Sequence, residues 1–264
     1  MSLPAFLHPN LLGVAEGDVV SLSGAEGRHA VTVKRLEPGE KVLLVHAPRE
    51  STEVYSRQEQ GLFAEATVTE TRGKDELIAS VEKVGKTPEP NPRVTVVQAI
   101  PKSERSELAI DLATQAGADE FIAWQADRCI AKWDGKKAPK ALAKWQSQAH
   151  AAAKQSRRTR VPFAHGPLTT PQLVQHLSQR DNALVYVLHE DATESIKDVP
   201  LTIDAAETTE LILLIGPEGG IGDEELATLQ AAGAQAIKLG PEVLRTASAA
   251  MVALAAIGVR TSRW

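Results

Sequence analysis

Residues 213–226 read LLIGPEGGIGDEEL, and this stretch decides how the second half of the chain is interpreted. An apolar run enters a turn that contains four glycines and leaves it into an acidic segment. Glycine permits the positive φ angles and the close backbone approaches that tight turns require. The acidic residues Asp223, Glu224 and Glu225 suit the positive end of a helix dipole. The pattern therefore predicts a buried strand, a glycine turn and a helix, as in an α/β protein.

The residues of this turn exclude two common phosphate-binding motifs. A P-loop requires GxxxxGK[ST], and no lysine follows Gly222. A Rossmann turn requires GxGxxG, which the glycines from Gly216 to Gly222 do not supply, and Glu218 would repel a pyrophosphate. Two interpretations of the turn remain open. It is either a tight structural connection between strand and helix, or one wall of a pocket for another ligand.

The pattern around the turn predicts a parallel sheet. After Pro92, apolar runs of strand length alternate with segments of helix length, which is typical of a parallel sheet covered by helices. The predicted strands are residues 94–99, 121–124, 183–188, 211–215 and 236–239. The predicted helices are residues 104–116, 138–155, 171–178, 223–232 and 246–257.

The first third of the chain is rich in strand-forming residues. Residues 18–23, 41–46 and 62–70 have strand composition, and residues 25–34 favour one short helix. These elements predict a small β-barrel, to which residues 76–84 could add a last strand. Three prolines within GKTPEPNP, residues 85–92, mark a linker. We therefore predict a first domain over residues 1–75 and a second over 76–264, with the linker at about 85–92.

Three predicted loops should meet at one edge of the sheet. The strands before, within and after the opening stretch end in LHE at residues 188–190, in the glycine turn, and in LGPEVLRT at residues 239–246. In open α/β sheets, ligands bind beyond the carboxyl ends of the strands. Such loops offer backbone groups to a base such as adenine, and a carboxylate to a cation. S-adenosylmethionine contains adenine, an amino acid and a sulfonium, and the pocket is predicted to bind it.

Composition and charge restrict the class of protein. The chain has 264 residues and a single cysteine, Cys129, so it forms no intrachain disulfide and suits a reducing cytoplasm. No secretory signal and no apolar run of about 20 residues are present, so no membrane association is predicted. The net charge is −5, yet residues 128–160 contain ten basic residues and one acidic residue. This asymmetry predicts a polyanion surface in an otherwise acidic protein.

Several blocks together strongly resemble the RsmE-type ribosomal RNA methyltransferases of the SPOUT superfamily. They are LIGPEGGIGDEE (214–225), LGPEVLRTASAAMVAL (239–254), HAVTVKRLEPGE (29–40), KSER (102–105), DRC (127–129) and QSRRTRVP (155–162). The family commonly has glutamate at Ala247, threonine at Ser248 and glycine at Arg157. The resemblance covers nearly the whole chain. It implies a PUA-like β-barrel followed by a SPOUT domain with a carboxyl-terminal trefoil knot, a homodimer, and methylation of uridine N3 in 16S ribosomal RNA.

The resemblance also implies roles for individual residues. Arg245 is predicted to be catalytic, as an anion stabiliser or substrate clamp, because loss of the uracil N3 proton leaves charge on the ring oxygens. Glu218 is predicted to act on the donor's cationic groups or to orient its loop. The predicted contacts to S-adenosylmethionine are Leu188, His189, Glu190, Ile215, Gly216, Pro217, Glu218, Gly219, Gly220, Ile221, Leu239, Gly240, Leu244 and Arg245.

RNA contacts are assigned by the same resemblance. The predicted RNA-binding residues are Arg35, Lys102, Arg105, Arg128, Arg158 and Arg160. The apolar helix over residues 247–257 is assigned to a dimer interface, although a buried core helix would have the same composition. No metal ligands are predicted. Two other functions stay open: a SPOUT methyltransferase acting on ribose 2′-hydroxyls, and a non-catalytic RNA-binding factor for assembly of the small ribosomal subunit.

Overall fold

The structure, a computed structural model, describes residues 3–47, 58–203 and 209–264, without the side chains of Ser103 and Glu104. The chain divides into two compact units. The first unit contains Met1–Pro88 together with Ala153–Val161, and the second contains Glu89–Ala152 and Pro162–Trp264. Among the described residues, no helix combines the length and the apolarity that a membrane crossing needs.

The first unit is built on a five-stranded sheet in the order β1-β3-β4-β5-β2. Its strands are β1 (Ala5–His8), β2 (Val19–Ser23), β3 (Lys41–His46), β4 (Leu62–Arg72) and β5 (Glu76–Lys86). β1 runs parallel to β3, and the other neighbours are antiparallel. A helix, α1 (Gly24–Arg28), continues directly into a π-helical turn at His29–Val33.

The predicted domain boundary at 75/76 is corrected by β5. This strand hydrogen-bonds to both β4 and β2, so it belongs to the first unit, and the division follows Pro88. Leu77, Ala79 and Val81 alternate along β5 and pack in the core of this unit, as a half-buried strand requires. The segment Ala153–Val161 also joins this unit, because Ala153 and Val161 pack against Leu7 and Val45.

The second unit contains a six-stranded, fully parallel sheet in the order β11-β9-β10-β6-β7-β8. Its strands are β6 (Arg93–Ala99), β7 (Glu120–Gln125), β8 (Phe163–Thr169), β9 (Ala183–Leu188), β10 (Glu210–Ile215) and β11 (Gln235–Ile237). Its helices are α2 (Ser103–Ala116), α3 (Lys137–Gln155), α4 (Thr170–Leu177), α5 (Asp223–Ala231) and α6 (Thr246–Arg260). The predicted α/β class with a parallel sheet is confirmed.

Helices cover both faces of this sheet because its central strands are apolar on both sides. Leu211 and Leu213 of β10 pack on one face with residues of α2, α3 and α6. Ile212 and Leu214 pack on the other face with residues of α4 and α5. All six residues of β10 are buried, which explains the continuous apolar run in the sequence.

Buried charges lie where three strands begin. Arg93, Glu120 and Glu210 are the first residues of β6, β7 and β10. The Arg93 guanidinium donates to Glu120 Oε2 at 2.8 Å, and Arg180 donates to Glu210 Oε1 at 3.1 Å and to Glu120 Oε1 at 2.8 Å. Burial alone would raise the pKa of Glu120, but hydrogen bonds from His165 and Arg180 hold it well below its usual range. This amino-terminal edge is therefore tied together by ion pairs.

Candidate active site

A cavity of about 600 Å³ opens at the carboxyl ends of β9, β10 and β11. We call it the carboxyl-edge cavity. Parallel neighbours bring the loops that follow these strands to one edge of the sheet. The cavity is lined by all fourteen residues predicted from the sequence to hold the methyl donor: Leu188, His189, Glu190, Ile215, Gly216, Pro217, Glu218, Gly219, Gly220, Ile221, Leu239, Gly240, Leu244 and Arg245.

The glycine turn, residues 216–222, forms one wall of the cavity. The Gly220 N–H donates to Pro217 O at 3.0 Å, and Gly220 has φ +70°, in the region that favours glycine. A Cβ on Gly216 would lie 2.8 Å from Cγ1 of Ile221, a buried residue, so this position also requires glycine. The turn is thus compact, and its backbone lines the cavity.

Two hydrogen bonds tie the glycine turn to other loops of the unit. The Lys102 N–H, at the start of α2, donates to Glu218 Oε1 at 3.1 Å. The Thr246 hydroxyl, at the start of α6, donates to Gly216 O at 2.7 Å and accepts a hydrogen bond from buried Gln98 at 2.9 Å. The carboxylate of Glu218 therefore links the glycine turn to the start of α2.

The loop after β9 closes a second side of the cavity. His189 donates its backbone N–H to Ile237 O at 2.9 Å, and its ring Nδ1 accepts the Asp191 N–H at 3.3 Å. Carboxylates from three loops line the cavity together with apolar side chains. Negative side chains favour cationic ligand groups, and apolar walls favour a ring. The cavity therefore suits an uncharged aromatic group beside a positive charge.

Three arginines line the same cavity, although the sequence placed only one of them there. Arg245 stands at the start of α6, and Arg105 and Arg128 had been assigned to an RNA surface. Arg128 donates through Nη1 to Gly219 O at 3.2 Å. Pro241, Glu242 and Val243, within the predicted loop 239–245, also line the cavity, and the other lining residues outside the predicted loops are Asp191, Asp223, Ile237, Lys238, Thr246 and Ala249. Most of them lie within or beside the quoted loops, so loop position was the available signal.

Of the other predicted RNA contacts, Lys102 lies in the second unit, and Arg35, Arg158 and Arg160 lie in the first. Arg35 is exposed and Arg158 is half-buried. Arg160 is only 6% exposed, and its guanidinium donates to Gln60 O at 3.1 Å and to Thr87 O at 3.3 Å. A side chain held in this way does not reach a phosphate in solution. The assignment of Arg160 to RNA is therefore corrected: it is a structural residue of the first unit.

Replacing Arg160 should destabilise the protein, because its buried guanidinium satisfies two main-chain carbonyls. We expect Arg160→Ala to reduce the free energy of unfolding by about 2–3 kcal/mol, since both acceptors lose a charged donor. Thermal melting followed by circular dichroism measures the change. Arg35→Ala, which removes an exposed charge, is the control and should melt within a degree or two of the parent. Equal melting temperatures for the two variants would contradict the structural role.

The basic block of residues 128–160 is divided between the two units. Its end, Ala153–Val161, belongs to the first unit, and its beginning belongs to the second. Lys154 pairs with Glu26 at 2.6 Å, and Lys144 lies 3.7 Å from Glu107. The predicted polyanion surface must therefore be considered unit by unit, with part of the charge already neutralised.

One cluster offers metal-ligand atoms outside the cavity. Ligand atoms of Glu120, His165 and His176 all lie within 4.8 Å of one another. The Arg180 Nη2 donates to Glu120 Oε1 at 2.8 Å and to His176 Nε2 at 2.7 Å, so a guanidinium already satisfies two of these atoms. Burial lowers the pKa of His176, and the charge of Arg180 adds to the effect, which keeps the ring a neutral acceptor. The cluster stabilises the start of the sheet.

Comparison with known proteins identifies the family to which the chain belongs. Residues 87–258 match the RNA methyltransferase domain, and the chain belongs to this family. It is 50% identical to ribosomal RNA small subunit methyltransferase E of Mycobacterium bovis, over 94% of this chain and 89% of that protein. The protein of the same name from Bacillus subtilis is 28% identical, over 94% and 93% of the two chains.

A solved structure supports the fold. Ribosomal RNA small subunit methyltransferase E from Neisseria gonorrhoeae, a structure bound to S-adenosyl methionine, superimposes with a TM-score of 0.80. It is 23% identical, and the match covers 98% of each chain. At this identity the likeness establishes the common fold.

Proposed function

We propose that this protein transfers a methyl group from S-adenosylmethionine to N3 of a uridine in small-subunit ribosomal RNA. Membership of the RNA methyltransferase family, with 50% identity to a small-subunit methyltransferase over nearly the whole chain, is the observation that carries the proposal. The carboxyl-edge cavity supplies a site of suitable size and lining for the reaction. The cytoplasm, where ribosomal RNA is modified, is part of the same proposal.

The residues of the cavity fit this methyl donor. A volume of about 600 Å³ lies in the ordinary range for small-molecule sites. A Cβ on Gly220 would meet no atom nearer than 4.0 Å, so the missing side chain leaves room beside the turn. Glu218 and Glu190 place negative charge at the cavity, which suits a ligand with a sulfonium and an ammonium group. When bound there, S-adenosylmethionine would supply an electrophilic methyl group.

The chain's own residues have two tasks in this mechanism. Uracil N3 becomes nucleophilic when its proton is lost, and negative charge then develops on the ring oxygens. The guanidinium of Arg245 is the cation we assign to that charge, because it lines the cavity from the start of α6. Glu218 is assigned to the donor's cationic groups while its Oε1 holds the Lys102 N–H.

The remaining features of the resemblance belong to the same proposal. The five-stranded unit corresponds to a PUA-like barrel that binds RNA, with Arg35 and Arg158 as its candidate phosphate contacts. Lys102 and Arg105 are the candidate contacts beside the carboxyl-edge cavity, since both lie at the start of α2. The parallel order in which β11 lies outside β9 is consistent with a carboxyl-terminal trefoil knot.

A homodimer is supported by apolar side chains left exposed on α6. One face of this helix is buried and includes Ala250, Leu254 and Ile257. Another face exposes Val252 by 37% and Val259 by 72%. Apolar surface of this kind on a helix favours association. We propose that two copies of the chain pack through this face.

Charge on that face should dissociate the dimer. We expect multi-angle light scattering to give twice the chain mass for the parent protein and the single mass for Val252→Glu, Val259→Glu. Val19→Glu is the matched control, because Val19 is 68% exposed in the first unit and should leave the dimer intact. A parent protein that is monomeric and fully active would rule out the assignment.

Nucleoside analysis tests the proposed reaction and separates it from its alternatives. Purified protein, labelled S-adenosylmethionine and small ribosomal subunits from cells lacking the enzyme are incubated, and the RNA is digested for mass spectrometry. We expect label in N3-methyluridine. Label in a 2′-O-methylnucleoside would indicate the ribose methyltransferase instead. If calorimetry shows that the donor binds, but no methyl group is transferred to free RNA or to subunits, the protein is a non-catalytic RNA-binding factor.

A further inference from the structure

Two glycines of the glycine turn are not explained by their backbone angles. Gly220 has a positive φ, but Gly219 and Gly222 do not, and Gly222 has φ −74° and ψ 155° at the start of α5. Any residue can adopt that extended conformation. The atoms that a side chain at these two positions would meet show which group lies against the turn.

That group is the side chain of Arg128. A Cβ on Gly219 would lie 3.3 Å from Cβ of Arg128, and a Cβ on Gly222 would lie 3.4 Å from its Nε and 3.5 Å from its Nη2. At Gly219 a Cβ would make a tight contact, whereas at Gly222 it would make an ordinary van der Waals contact, so a longer side chain is needed at Gly222 to crowd the arginine. The two glycines thus form a shallow trough in which the arginine lies, and its Nη1 donates to Gly219 O at 3.2 Å.

The base of this arginine is anchored on buried structure. The Asp127 N–H donates to Glu225 Oε1 at 3.0 Å, and Glu225 is 4% exposed in the first turn of α5. The hydroxyl of Thr170 donates to the same oxygen at 2.5 Å. The Cys129 N–H donates to Ala126 O at 3.0 Å, which closes a turn around Arg128. The arginine is therefore held from both ends, by its own backbone and by the glycine turn.

We propose that Arg128 is a positioning residue that holds the glycine turn in its ligand-binding conformation, rather than a contact to RNA phosphate. This inference rests on the proposed function of the carboxyl-edge cavity. Residues 219 and 220 line the cavity, whereas Gly222, on which the guanidinium lies, does not. Arg128 also lines the cavity, but we assign its effect on the methyl donor to the turn that it holds.

Arg128→Ala and Arg128→Lys test this role against the phosphate contact. We expect both variants to bind S-adenosylmethionine about five-fold more weakly in calorimetry, because lysine lacks the planar fork that fits the trough. KM for the donor should rise by the same factor, with kcat at saturating donor nearly unchanged. RNA affinity and its salt dependence should match the parent. Lys132→Ala is the control, since it removes an exposed charge of the same block outside the cavity.

A salt slope lowered by about one unit with unchanged donor affinity would overturn the proposal in favour of a phosphate contact. Gly222→Leu provides a second test, because its side chain would displace the arginine. Gly222→Leu and Arg128→Ala should weaken donor binding by the same cause, the loss of the arginine from its place on the turn. The double variant that carries both substitutions should therefore bind the donor no more weakly than either single variant. If the two substitutions lower donor affinity additively, they act independently, and the contact between Arg128 and the two glycines does not position the turn.

Amide exchange keeps this test separate from the proposed function. Without any donor present, the Gly220 amide, which bonds to Pro217 O, should exchange at least several-fold faster in Arg128→Ala than in the parent. Unchanged exchange would overturn the positioning role. A parent protein that fails to bind S-adenosylmethionine would overturn the proposed function instead, while this exchange result would still report on the arginine.

Discussion

Gly220→Val should lower the affinity for S-adenosylmethionine by at least about 100-fold while the protein stays folded. A β-branched side chain is strained at φ +70°, so the turn must change its path. A Cβ at this position would lie 4.0 Å from Arg128 Nη1, so there is room for a side chain, and Gly220 lines the cavity that the donor is proposed to fill. The residue is exposed, so the loss of stability should stay near the 1–2 kcal/mol cost of the strain itself. Titration calorimetry and thermal melting measure the two quantities.

The chain offers a matched control for backbone strain. Gly233 also has a positive φ, +94°, is exposed at the end of α5, and has no atom within 4 Å of a Cβ. It does not line the carboxyl-edge cavity. Gly233→Val should therefore cost similar stability and leave donor binding at the level of the parent. If Gly220→Val, Gly233→Val and the parent all bind the donor with equal affinity, the glycine turn is not part of the binding site.

Helices cover both faces of the sheet in the second unit, so its central strands are continuous apolar runs. Such runs are visible in the sequence, and the local pattern therefore predicted most elements of this unit. The strand at residues 183–188 is confirmed with its bounds, and α5 begins at Asp223 as the acidic run indicated. β8 was missed, since the Gly166-Pro167 pair within it is typical of turns. Proline is tolerated there because β8 lies at the edge of the sheet.

The composition of the cavity could be predicted, but the roles of the arginines could not. Parallel strands must bring their following loops to one edge, so the quoted loops identify the lining without further information. The charge of a side chain does not determine whether it lies in the cavity, on the surface or in the core. Arg158 and Arg160 are two positions apart in one basic run, yet Arg158 is half-buried and Arg160 is buried against carbonyls of distant residues. Only the tertiary structure distinguishes them.

The backbone conformation of Arg157 bears on one departure from the family pattern. Arg157, where the family commonly has glycine, has φ +58°. Glycine adopts this conformation without the steric cost that a Cβ brings. The backbone at this position therefore suits a glycine, and the arginine found here adopts the left-handed conformation at some conformational cost.

Arg245→Ala should reduce turnover by about 100-fold, which is more than it lowers RNA affinity. The carbonyl of Arg245 accepts the Ser248 and Ala249 N–H groups at 2.9 and 3.1 Å, so the start of α6 is held by the backbone. Among the described residues, no ion pair or hydrogen bond is found for its exposed guanidinium. The side chain is thus available to a charge that develops only during the reaction, and loss of one such donor costs about 10²–10³ in kcat.

The pattern of kinetic constants distinguishes a transition-state role from substrate binding. If the guanidinium stabilises the anionic uracil, kcat and kcat/KM should fall together in single-turnover and steady-state assays. Arg245→Lys should recover part of the rate, because an ammonium keeps the charge without the planar fork. The fold should be unaffected, since alanine preserves the carbonyl that caps α6. A raised KM for RNA with unchanged kcat would show instead that Arg245 clamps the substrate before the methyl group moves.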